Sequence, residues 1–154
     1  MSFFFLASVS FSFSQVPFSI IGTWKIVAVH DDDLYHHFDK DSTVLSSKFK
    51  KELEQNHQDT SATILLAKMG MEMLKNSVFI FKKDSTYQDL SDAPLGNEKG
   101  AYTVDYKKGQ IFTTALEENK PVKKEPIFFK VNLDGSITIS FPDSNLACDL
   151  KRVE

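Results

Sequence analysis

One cysteine, Cys148, leaves the chain no partner for an internal disulfide, and no other thiol lies near its start to carry a lipid anchor. In "LACDLKR" it alternates with charged residues and reads as a buried, inert thiol without a catalytic role. No apolar run reaches the ~20 residues a transmembrane helix needs. A basic stripe is also lacking. The formal charge is −3 with a pI near 5.8, and the lysines are interspersed with acids, so nucleic acid is not an expected partner. There is no nucleophile-elbow serine, no glycine loop of the phosphate-cradling kind and no carboxylate pair that can be placed, so a non-enzymatic protein without a cofactor is expected.

Two stretches invite a metal reading and do not sustain it. Residues 30–41, "HDDDLYHHFDKD", crowd three His and five Asp together, and imidazole with carboxylate suits zinc. Adjacent His36 and His37 point apart in an extended chain, however, and the spacing fits neither a helical His pair nor a calcium loop. A solvated polar loop leading into helices is expected there. In "MGMEM", Met69, Met71 and Met73 stand two apart and diverge on a helix by about 200°, which favours adaptable core packing over a thioether copper site.

What is present is one domain's worth of chain, 154 residues with 42% hydrophobic and 25% charged side chains. Its first charged residue is Lys25. The preceding "MSFFFLASVSFSFSQ" sets phenylalanines among serines, with small Ser12 and Ser14 before Gln15, and reads as an export signal over 1–14, either shortened at its start or a poor one, because no Lys or Arg precedes it. A buried N-terminal strand is the alternative. The signal predicts a periplasmic or extracellular protein, and a monomer is expected.

Residues 20–29 are apolar and β-branched and predict a strand with Gly22, Trp24, Ile26 and Ala28 on one face. From residue 77 onward "SVFIFKK", "STYQDL", "GAYTVDY", "QIFTTAL", "PIFFKVNL", "SITISFP" and "LACDLKRV" recur at intervals of about eight to twelve residues. They are separated by turn chemistry at Lys83-Asp84, Lys107-Lys108-Gly109, Asp134-Gly135 and Asp143-Ser144-Asn145. Eight antiparallel strands are predicted. Between the first and second, "SSKFKKELEQNHQ" and "DTSATILLAKMGMEMLKN" carry apolar residues at helical spacing, with Leu65, Met69 and Met73 widening the apolar stripe of the second. They predict a helical insertion at about 44–76.

A Gly-x-Trp on the first of eight antiparallel strands resembles the calycin superfamily, specifically the small bacterial lipocalin-like domains. The resemblance implies an all-β, up-and-down barrel over residues 15–154, in which Gly22 and Trp24 mark the closed end. It implies that a basic residue of the last strand packs over the indole, a role carried onto Arg152, with Lys151 as the fallback. These residues are architectural.

Alternation along the strands gives a hypothetical barrel lining of Phe79, Phe81, Tyr87, Tyr102, Tyr106, Phe112, Phe129, Ile139 and Phe141, extended by Val104, Leu116, Ile127, Val131, Ile137, Leu146 and Leu150. This lining is aromatic and nearly free of charge. An eight-stranded barrel is either filled by side chains or holds one small ligand. The first case predicts an accessory or protein-interaction domain of the cell envelope; the second, a carrier for a small hydrophobic molecule or lipid with the helices as a lid. The Arg-x-Tyr pair with which fatty-acid-binding proteins fix a carboxylate is missing from "LKRVE".

Overall fold

A computed structural model describes residues 18–91, 97–117, 120–142 and 144–153. The export-signal segment therefore lies outside the described residues. The strands are β1 (Gly22–His30), β2 (Leu34–His37), β3 (Ser42–Leu45), β4 (Val78–Phe81), β5 (Thr86–Leu90), β6 (Glu98–Asp105), β7 (Gln110–Glu117), β8 (Lys120–Lys123), β9 (Ile127–Val131), β10 (Ile137–Ser140) and β11 (Ala147–Val153). Helices α1 (Ser47–Gln55) and α2 (Thr60–Glu72) lie between β3 and β4.

Eight of the strands close an antiparallel barrel in the order β1-β4-β5-β6-β7-β9-β10-β11, with β11 returning to pair β1 from Thr23↔Val153 to His30↔Ala147. These are the eight strands that the alternation predicts. The two glycine turns hold on chemical grounds: Gly109 and Gly135 take φ of +62° and +81°, which glycine adopts without a Cβ penalty, while Asp143 of the last expected turn lies outside the described residues. At Gly109 space is restrictive too, because a Cβ would come within 2.5 Å of the Phe129 carbonyl oxygen.

Three departures from the sequence reading have physical causes. Residues 34–45 are not a solvated loop. They form the β2–β3 hairpin, which pairs with β1 through Ala28↔His37, Val29↔His36 and His30↔Tyr35. Leu34, His36, Phe38 and Leu45 are buried in it, an apolar alternation that the surrounding aspartates obscure. Second, the register of β1 against β11 shifts between Ile26 and Ala28. This bulge puts Val29, opposite Cys148, on the face of Trp24 and Ile26, while Ala28, opposite Asp149, is fully buried on the other face. Third, β7 faces the other way: Ile111, Thr113 and Ala115 are buried, while Phe112 and Leu116 are 42% and 54% exposed. Cross-strand pairing decides it, since Val104↔Ile111 and Tyr102↔Thr113 must share a face.

The helices begin where capping chemistry allows. Ser46 accepts from the Phe49 amide and Asp59 from the Ser61 and Ala62 amides. Leu53 and Met71 are buried against the barrel, with Phe49, Ile64, Ala67 and Leu74 packed beside them. Leu65, Leu66, Met69 and Met73 do not widen this contact; they are exposed on the other side of the helix.

Candidate functional site

The two ends of the barrel differ. At one end Trp24 is fully buried and its indole N–H donates to the Ile20 carbonyl at 2.7 Å. Arg152 pairs directly opposite Trp24 on β11, so both project from the same side of the sheet. The guanidinium carbon lies 4.8 Å from the ring centroid, and Nη2 donates to the Ser19 carbonyl. Such a cation–π contact is worth ~0.5–2 kcal/mol. Gly22 has φ +145°, and a Cβ there would stand 3.4 Å from Arg152 Nε, so the Gly-x-Trp glycine leaves room for the arginine. Arg152 itself stays exposed and covers the barrel end from outside.

Two predicted lining residues, Tyr106 and Phe129, belong to this closed end. Phe18 contacts Trp24, Tyr106 and Phe129, with ring centroids 6.0–6.4 Å apart, and Tyr106 is half exposed. Tyr102 is buried edge-on against Phe81 and donates to the Lys82 carbonyl at 2.9 Å. Ile139 is buried core. Phe112 is on the outer surface.

The opposite end is hollow. A cavity of about 460 Å³ is lined by the predicted Phe79, Phe81, Tyr87 and Phe141, together with Ile127 and Thr113. It lies where β7 parts from its two neighbours: β9 pairs only with Gln110–Ile111 and β8 takes over at Thr114–Glu117. A second chamber of about 340 Å³, lined by Ile26, Leu74, Leu146 and Cys148, shares Phe79, Asp89 and Phe141 with the first. Leu74, just past α2, places the helical insertion beside this chamber.

The lining is not free of charge. Counting by twos from Tyr87 reaches Asp89, and from Tyr102 back through Gly100 reaches Glu98; β5 and β6 set Asp89 and Glu98 directly opposite each other. The period of two that placed the aromatics inside was available for these acids as well. Glu98 is well served: Tyr87 donates its hydroxyl to it, and Lys124 Nζ lies 3.3 Å away while also contacting Glu117. Lys123 and Glu125 line the exposed rim. Asp89 has one buried carboxylate oxygen with no hydrogen-bond partner, and among the described residues no cation pairs with it.

The electrostatics follow. Burial, aided by Glu98, pushes the Asp89 carboxyl up to about 6. Burial and the bond to Glu98 raise Tyr87, and the Glu117 contact raises Lys124. Cys148, in the inner chamber, is pushed up to about 12 by burial, with Asp149 and Asp89 adding to it, and is therefore a poor nucleophile.

The His/Asp stretch lies elsewhere, and its imidazoles diverge. His36 is fully buried, its Nδ1 2.9 Å from Thr43 Oγ1, and its ring stands edge-on to Phe38. Burial lowers its pKa, and Lys68, held at 2.6 Å by Asp41, lowers it further. His30 instead lies 3.6 Å from Asp149. Among the described residues no three His, Cys, Asp or Glu side chains converge on a common point.

No protein-family profile matches the chain, and no curated protein matches it. Among solved structures, the fold is similar to the crystal structure of a DUF4847 family protein from Bacteroides vulgatus, with a TM-score of 0.50 and 12% identity. The match covers 86% of this chain and 94% of that one. At that identity the likeness concerns the fold alone: a closed eight-stranded antiparallel barrel.

Proposed function

We propose that the protein is a lipocalin-like, non-enzymatic carrier that is exported and holds a small hydrophobic molecule or lipid in the open end of its barrel. The observation that carries this reading is the cavity of about 460 Å³ with a floor of Phe79, Phe81, Ile127 and Phe141. Its size lies in the range of small-molecule sites, and it joins an apolar floor to a set of polar side chains that includes Asp89, Glu98 and Lys124. The Trp24–Arg152 pair closing the other end supports the lipocalin-like assignment.

Native mass spectrometry of the protein purified gently from its host tests the reading. A mass excess that denaturation removes is expected. A bare mass, persisting after incubation with a lipid extract, would count against a ligand-binding barrel.

A second reading draws on the outer face of α2, where Leu65, Leu66 and Met69 are 60%, 69% and 62% exposed. Such a surface suits a protein-interaction domain of the cell envelope. Leu66→Glu separates the two readings, because it should leave the mass excess unchanged if the barrel is the functional site.

A further inference from the structure

We infer that the barrel cavity receives an amphiphile with a cationic amine head, and that Asp89 is the residue that pairs with that head. This rests on the ligand-binding reading above and specifies its ligand class. Three observations carry it.

The first is position. Asp89 borders both chambers, with Phe79 and Phe141 beside it, so a head held there leaves apolar space on either side for a chain. The second is the state of the neighbouring charges. Glu98 already has the Tyr87 hydroxyl and the Lys124 ammonium, and Lys124 is shared with Glu117, so these groups are matched within the protein. Asp89 is the carboxylate left over: one oxygen is buried without a partner, and no ion pair reaches it among the described residues. A carboxylate with a buried oxygen and no counter-charge carries a desolvation cost, and an ammonium supplied by a ligand offsets it. The third is the sign of the field. A ligand carboxylate placed here would face Asp89 and Glu98, directly opposed across β5 and β6. Of the cations in the lining, Lys124 is engaged by Glu98 and Glu117 and Lys123 sits at the exposed rim, so it is the wall around Asp89 that disfavours an anionic head and favours a cationic one.

The test is calorimetric titration of the full chain at pH 8 with n-octylamine, n-octanol and octanoate, repeated on Asp89→Asn. The amine should bind about tenfold or more tightly than octanoate, as a charge-assisted contact implies, with octanol between them. The preference should vanish in Asp89→Asn. In the wild type the advantage of the amine over octanol, which does not titrate, should also shrink as pH falls from 8 to 5 through the raised Asp89 value, a measurement that needs no variant.

If octanoate binds as tightly as the amine, the head-group assignment is overturned while the ligand-binding barrel stands. An amine preference that survives in Asp89→Asn overturns the role of Asp89. If none of the three binds, the ligand-binding reading falls and this inference with it.

Discussion

At the scale of single residues, a part-buried carboxylate and a buried imidazole push stability in opposite directions with pH. Asp89 titrates at about 6 in the fold against 3.8 in an unstructured chain. Its protonated form is the one the fold favours, so its contribution is full below about 3.8 and is lost as pH rises through about 6. His36 is lowered from 6.5. Its neutral form is favoured, so its contribution is present above about 6.5 and is lost as pH falls through the lowered folded value. Between about pH 4 and 6.5 the two slopes oppose each other, and each single variant should unmask the other. Asp89→Asn should gain ~1–2 kcal/mol at pH 8, allowing for solvent screening, gain nothing at pH 4, and show a steeper acid loss. His36→Leu should remove that acid loss. Urea denaturation across this pH range, followed by Trp24 fluorescence, checks both. At the closed end, Arg152→Ala should cost ~0.5–2 kcal/mol by the same assay, through loss of the indole contact.

At the scale of elements, the facing of β7 makes a direct prediction. Ile111 is fully buried and Ile111→Ala should cost ~2–5 kcal/mol, whereas Phe112→Ser and Leu116→Ser on the outer face should each stay within about 1 kcal/mol. Alternation alone could not decide this strand, because "QIFTTALE" offers an apolar residue on both phases, Ile111 and Ala115 against Phe112 and Leu116. Only the partner strand settles it. Strands such as β10 and β11 were legible in the sequence because their alternation had one sensible phase, as in Ile137 and Ile139 or Cys148 and Leu150, whereas β9 carries Phe128 and Phe129 on opposite phases and its Val131, expected in the lining, is exposed. The β1 bulge was not legible, since it depends on how β11 meets β1. The β2–β3 hairpin was hidden by its own aspartates: Asp31 accepts from the Asp33 and Leu34 amides to make the turn into β2, a structural role that reads in sequence as mere charge. The acids of the cavity, Asp89 and Glu98, fall on the same phase of the two-residue period as Tyr87 and Tyr102 and so are legible by the same count.

At the scale of the whole molecule, the closed end is occupied by Trp24, Phe18 and Phe129 while the other end is hollow, so a single barrel contains both of the interiors that eight strands permit. Bulk added at the hollow end should therefore act on ligand uptake, and bulk added at the closed end on stability. Ile127→Trp, in the cavity lining, should abolish the ligand-dependent mass excess with little loss of stability. Phe129→Trp, in the stacked cluster, should lower stability by ~1–3 kcal/mol through overpacking and leave uptake intact. Thermal unfolding alongside native mass spectrometry distinguishes them.

The seam between β1 and β11 bears on how the barrel comes into being. The contact that ties Arg152 to the Ser19 carbonyl joins residues 133 positions apart, and while β2 and β4 pair with β1 along one edge, its other edge finds a partner only in the last strand of the barrel. Nearly the whole loop must close before the reward arrives, which marks slow, late-committing folding. During synthesis on the ribosome β1 therefore waits with an open edge and an uncovered indole until β11 emerges. Over that interval the chain is exposed enough to aggregate through that edge, and a chaperone holding residues 20–30 would relieve the hazard.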